Sequence, residues 1–318
     1  MDGRGFLVGR RYARGDQPSV DRRSTYRSGI AAPVSAQGHL GDAMTSAKRV
    51  LVTGSTGNLG AKAVAALKTL ENVEVIGIGR NSTGDPNVIT ADLERYDRSW
   101  ARQFEGVDAV LHLAADPKPV GSWDSITRLN IELALNVFRA AEEARLRRFV
   151  FASSNWVLGG YRFRDERLTS GLSPLPVNPY GASKLFVERY GLAAAARTGM
   201  SVISLRIGYC QPGDNLPGPH MAFGRWGQEM WLGNDDWAQA VIRSVSSPFE
   251  GSAVLNIVSR NHGSRWDLEE AKETIGYDPV QSHRPTLTAT NLMKDRGAGL
   301  RERLIPMGAT VPLFGSRW

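Results

Sequence analysis

The sequence predicts a doubly wound α/β fold on a parallel sheet, and three observations lead there. From Lys48 onward, short apolar runs alternate with segments of helical spacing. The second run, at residues 73–78, is largely apolar, as a strand buried on both faces should be. The first run ends in a glycine-punctuated turn that opens at once into an Ala/Leu/Lys-rich stretch.

Residues 50–52 read as the first strand, and Thr53 leads into glycines at Gly54, Gly57 and Gly60. The helix then expected at 61–70 would lie against that strand. In such a turn the first glycine permits the sharp bend, the second lets backbone approach a pyrophosphate, and the third lets helix and strand touch. The helix N-terminus offers free N–H groups and the positive end of its dipole to phosphates. The pattern points to dinucleotide binding, the alternative being a glycine-rich turn that binds nothing.

A short third strand is expected at 88–90, a short helix at 99–104 and a fourth strand at 109–115 (AVLHLAA). Residues 126–144 keep helical spacing and are followed by Arg145, Arg147 and Arg148, which suit the negative end of a helix dipole. The fifth strand is read at 149–152, a long helix at 178–197 and the sixth strand at 202–206. Residues 211–219 are rich in Pro and Gly. Asp235 and Asp236 can cap a helix running to residue 245. A late strand at 254–258 and a short helix at 267–274 follow. Residues 283–318 are weakly patterned and expected to pack as a tail over the core.

Residues 1–47 are rich in Arg, Gly and Ser and lack the apolar centre of a secretory signal. Asp2, Asp16, Asp21 and Asp42 argue against an organelle transit peptide. The segment is expected to be a disordered extension, and Met44 stands as an alternative start. The organisation is thus an extension at 1–47, a Rossmann core at 48–207, and a small substrate lobe with tail at 208–318, interleaved with the core.

Bulk properties narrow the function. A single cysteine, Cys210, rules out an intrachain disulfide and a cysteine metal cluster, and fits a cytoplasmic protein. The net charge of +7 comes from scattered arginines rather than a basic block interleaved with aromatics, so nucleic acid is not an expected partner. No apolar run reaches membrane-spanning length. The expectation is a small-molecule substrate, no metal and no membrane.

Three features carry chemistry. The strand FVFASSN ends at Ser153, Ser154 and Asn155, where the carboxyl ends of parallel strands line a ligand crevice. Tyr180 and Lys184 are one helical turn apart in PYGASK. A phenol titrates near pH ~10, and a nearby ammonium favours the phenolate, so the pair can move a proton at a carbinol while hydride passes to or from a nicotinamide. Asn130, at the start of a helix, can fix neighbouring backbone or a water near Lys184. Each feature taken singly also has a structural reading: strand-end hydroxyls satisfying backbone, and a surface pair on a helix.

Together these residues resemble the short-chain dehydrogenase/reductase superfamily in its extended, epimerase/dehydratase-like branch. The matching elements are TGSTGNLG from Thr53, Asp92-Leu93, HLAA from His112, Asn130, Ser153-Ser154, YGASK from Tyr180 and LRIG from Leu205. The resemblance spans residues 48–280. It implies Tyr180 as acid/base, Lys184 tuning it and holding the nicotinamide ribose, and Ser154 polarising the reacting oxygen. It implies cofactor contacts at Gly54, Thr56, Gly57, Asn58 and Leu59, adenine flanked by Asp92 and Leu93, further contacts at Leu113, Ala114, Ala115 and Asn130, and a homodimer through the Asn130 and Tyr180 helices.

Within the branch the uronate dehydrogenases are most similar, sharing FASSN, YGASK, RIGYC and WLGNDDW. Substrate contacts are then implied at Ser154, Asn155, Trp156 and Arg225. Trp156 stands where those enzymes carry His, and Arg225 is a residue or so out of register with their carboxylate-binding arginine. The short region after the sixth strand, with no dense Arg/Lys set, favours a small free sugar or sugar acid over a nucleotide-linked one. Trp226, Trp231 and Trp237 offer either a sugar-stacking wall or core packing. After the second strand, Arg80 occupies the place of the acid that would bind the ribose of NAD, so local chemistry leans to NADP while the resemblance leans to NAD. The lead expectation is an NAD(P)-dependent oxidoreductase on a carbinol. The alternatives are a nucleotide-sugar epimerase or dehydratase and a non-catalytic NADP-binding sensor.

Overall fold

The computed structural model describes residues 48–304, so the expected N-terminal extension and the last part of the tail lie outside it. Seven strands form one sheet in the order β3-β2-β1-β4-β5-β6-β7, every neighbouring pair parallel. They are β1 Lys48–Thr53, β2 Val73–Gly79, β3 Val88–Thr90, β4 Ala109–His112, β5 Arg148–Ser154, β6 Ser201–Ile207 and β7 Ser252–Ile257. The strand order reverses between β1 and β4, and a crevice opens over their carboxyl ends.

Both faces of the sheet are covered, which explains why its strands read as near-continuous apolar runs. Val50, Val52, Leu111, Val150 and Leu205 face one core layer. Leu51, Val110, Phe149, Phe151 and Val202 face the other. In the second layer Phe138 stacks on Phe149 with ring centres 4.0 Å apart.

Helix α1 (Asn58–Leu67) starts three residues earlier than the pattern implies, inside the glycine turn. Strand β4 ends at His112, not at residue 115, because Leu113 and Ala114 turn across the glycine turn, their N–H groups donating to the Thr53 carbonyl and hydroxyl at 3.2 and 3.3 Å. The expected long helix before β5 is α3 (Trp123–Ile126), a π-helical turn Thr127–Glu132, and α4 (Leu133–Glu143). The short helix α2 (Arg98–Ala101) precedes β4. Helix α5 (Pro179–Thr198) has Asn178 as its cap, Pro179 at its first position and left-handed Gly199 at its end, all readable in sequence.

The C-terminal segment carries α6 (Gly224–Glu229), α7 (Asn234–Ser246), α8 (Glu269–Ile275) and α9 (Ala289–Leu304). Helices α6 and α9 were not expected. Asp235 and Asp236 do not cap α7. The Gln281 side chain accepts from both their N–H groups, and the Asp236 carboxylate receives Ser259, Val280 and Gln281 instead. Among the described residues no helix is long and apolar enough to cross a membrane.

A buried ion pair ties α5 to the sheet. Arg206 on β6 grips Glu188 on α5 through two bonds of 2.9 Å, Ser153 on β5 donates to Glu188 at 2.5 Å, and both charged side chains are 3% exposed. Glu188 is one turn beyond Lys184. Arg206→Met leaves a buried carboxylate without its partner and should cost about 3–5 kcal/mol, while Arg206→Met with Glu188→Leu should cost clearly less. Denaturant midpoints measure both; equal losses would contradict a paired, buried origin.

Candidate active site

The site begins with the turn after β1. Gly54 sits at φ +68°, and a Cβ on Gly60 would lie 2.0 Å from the Gly54 carbonyl oxygen. Only glycine allows α1 to start so close to the strand. The helix has no side-chain cap and no acid in its first turn, so its positive end is left uncompensated by the protein. That donor set fits the pyrophosphate of a dinucleotide.

A cleft of about 870 Å³ extends from this turn. Gly54, Thr56, Gly57, Asn58 and Leu59 form one end, and Arg80, Asp92 and Leu93 line it beyond β2 and β3. Arg80 is exposed and makes no hydrogen bond or ion pair among the described residues. Leu113, Ala114 and Ala115 cross the middle, and Ser154, Trp156, Tyr180 and Lys184 line it above β5. Widely separated stretches thus converge where the sequence places its chemistry.

Asn130 is buried in the π-helical turn. Its carbonyl oxygen accepts from Asp116 N–H at 2.7 Å, and its amide donates to the Asp116 carbonyl at 3.2 Å and to Ser183 Oγ at 3.3 Å. It therefore fixes backbone rather than lining the cleft.

Lys184 is 3% exposed, and its Nζ donates to the Ala152 carbonyl at 2.8 Å, lies 5.0 Å from the Phe151 ring centre and 5.6 Å from that of Tyr180. Burial lowers its pKa to about 7. Desolvation of the Tyr180 hydroxyl pushes the phenol up to about 12, a hydrogen bond with Ser154 pulls the other way, and the charge of Asp116 adds to the rise. The expected ammonium-lowered phenol is thus not what the protein alone supplies: desolvation is the largest influence on Tyr180, and Lys184 is itself easily neutralised. His112, beneath the cleft, is held at about 3 by burial and by Lys184, and pairs with Thr53 Oγ1 at 2.7 Å.

Other expectations need correction. Asn155 is fully buried with neither amide atom paired to protein, and does not line the cleft. It follows Ser154 into a tight 3₁₀ turn that points it inward. Arg225 lies on α6 in a second cavity, with its head exposed and 4.0 Å from Glu229. That cavity shares Trp156 and Phe223 with the cleft, and gathers Arg164, Arg265 and Arg296 from separate stretches. The sequence shows no run of basic residues, yet the fold brings these arginines together, with Asp165, Glu229 and Asp295 among them. Trp231 and Trp237 are core, Trp231 donating to the Asn215 carbonyl and the wholly buried Trp237 to the Leu59 carbonyl, while Trp226 packs on Trp266 and lines the second cavity. Asp116, Ser125 and Tyr209 line the cleft without having been singled out. Asp116 lies just past the end of β4, where strand ends line a crevice, and that rule could have found it.

Residues 50–210 match the NAD dependent epimerase/dehydratase family. L-arabinose 1-dehydrogenase (NAD(P)(+)) of Haloferax volcanii is 36% identical over 246 residues, covering 73% of this chain and 96% of that protein. Uronate dehydrogenase of Pseudomonas putida is 31% identical, over 75% of this chain and 86% of that one. The solved uronate dehydrogenase from Agrobacterium tumefaciens superposes with a TM-score of 0.62 at 26% identity, over 74% of this chain and 85% of that one. With its sheet order, glycine turn and Tyr180–Lys184 helix, the chain belongs to the NAD dependent epimerase/dehydratase family.

Proposed function

We propose that this chain is an NAD(P)-dependent dehydrogenase acting on a carbinol carbon of a small free sugar or sugar acid. The observation that carries the reading is the meeting of Ser154, Tyr180 and Lys184 in the cleft floored by the glycine turn. Relatives named for L-arabinose and for uronates support a free sugar as substrate.

Gly54, Thr56, Gly57, Asn58 and Leu59 hold the pyrophosphate, Asp92 and Leu93 flank the adenine, and Leu113, Ala114 and Ala115 line its path. When bound, the nicotinamide accepts or supplies the hydride. Ser154 holds the reacting oxygen, Tyr180 takes or returns its proton, and Lys184 holds the ribose and, when charged, favours the phenolate. Asn130 fixes the backbone beside them. Trp156 faces the substrate. The unpaired Arg80 favours NADP, with NAD as the alternative. Exposed Trp123, Phe186 and Leu192 on or beside α3 and α5 support a homodimer through these helices. The single cysteine supports a cytoplasmic setting. A second reading, a nucleotide-linked sugar substrate, draws on the arginines of the second cavity.

A panel of free aldoses and uronates, followed by NAD(P)H absorbance, should reveal turnover that Tyr180→Phe lowers by roughly 10²–10⁴-fold. Full activity in that variant would remove Tyr180 from its role, and tight UDP binding without NAD(P)H release would favour the second reading. Because burial disfavours the phenolate, oxidation should quicken as pH rises above neutrality, while the reverse reduction, which needs the phenol, should not; a rate that falls with alkaline pH would contradict this. In dinucleotide titrations NADP should bind more tightly than NAD, and Arg80→Ala should remove the difference. Tighter NAD binding unchanged by Arg80→Ala would overturn that preference.

A further inference from the structure

We propose that Asp116 is a specificity-determining residue that selects an uncharged polyhydroxyl sugar over the matching sugar acid. This rests on the dehydrogenase reading and names the substrate class of that same site.

Asp116 is half-buried and lines the cleft with Ser154 and Tyr180. The carboxylate therefore shares a wall with the residues at which a carbinol would bind, and its charge works against ionisation of the Tyr180 hydroxyl. Its backbone is clamped on both sides by the buried Asn130 amide, at 2.7 and 3.2 Å. Its side chain is fixed as well: Oδ1 accepts from Lys118 N–H at 3.0 Å and Oδ2 from Ser125 Oγ at 2.6 Å.

An ionised carboxylate has about four acceptor positions, so those two bonds leave about half its capacity for donors in the cleft. Sugar hydroxyls are such donors, and they meet an acceptor already held in place. A substrate carboxylate has no proton to offer and brings like charge into a cleft where water screens poorly. Lys118, two residues on in the cleft wall, is exposed, and Lys184 donates to the Ala152 carbonyl and is easily neutralised by burial. The arginines of the second cavity are partly committed, since Arg265 bonds Glu229 and the Tyr161 carbonyl, and Arg225 leans toward Glu229.

The test is kcat/KM on a hexose and on its uronate, which differ only in oxidation at the terminal carbon, for wild type, Asp116→Asn and Asp116→Glu. Wild type should prefer the hexose. Asp116→Asn should lower kcat/KM on the hexose roughly 10–100-fold, the loss of one charge-assisted bond, without lowering it on the uronate. Asp116→Glu, which keeps the charge, should keep the hexose preference, and the dinucleotide dissociation constant of both variants should match wild type. Wild-type preference for the uronate, or a hexose-to-uronate ratio unmoved in Asp116→Asn, would overturn the proposal while leaving the dehydrogenase reading standing. Absence of turnover on every sugar in wild type would overturn both.

Discussion

The burial of one lysine organises this site. Lys184 lies among Phe151, Tyr180 and the Ala152 carbonyl, with water almost wholly excluded. Taking an ammonium out of water is costly, and a single carbonyl repays only part of that cost, so its pKa falls to about 7. Desolvation likewise lifts the phenol of Tyr180, which is half-buried at the cleft wall, to about 12. Both groups are therefore poised toward their uncharged forms, and a change in charge within the cleft acts on them with little screening. His112, held neutral beneath them, adds no competing cation.

The rest of the fold serves that placement. The Arg206–Glu188 pair pins α5 to β5 and β6 one turn from Lys184 and so sets which face of the helix meets the cleft. Across the crevice, the close contact of Gly60 with Gly54 lets α1 point its positive end at the same space. Asn130 closes the third side by tying the segment after β4 to α5 through Ser183. A parallel sheet buried on both faces gives these three devices a rigid common floor.

What the sequence disclosed, it disclosed through local pattern. The β1 turn, the Asn178-Pro179 start of α5 and the apolar strands are each written within a few residues, and they lie where the spacing predicts. The Tyr180–Lys184 spacing likewise carries both side chains to one cleft. Features that depend on distant partners were not legible. The burial of Trp226, Trp231 and Trp237 follows from Trp266, Asn215 and Leu59, which no local window contains. Asn155 turns inward because a 3₁₀ turn follows β5. The arginines of the second cavity come from positions spread between 162 and 296. The direction of the Tyr180 shift was misjudged because spacing shows a neighbouring charge but not how much water burial removes.

The protonation state of Tyr180 is therefore the place to probe the account. Phenolate absorbance against pH, taken as wild type minus Tyr180→Phe in dinucleotide-free protein, isolates that one hydroxyl. The account predicts no Tyr180 signal through the neutral range and a rise only toward pH about 12. A Tyr180 phenolate already formed near neutrality would contradict it, since burial would then not govern the pair.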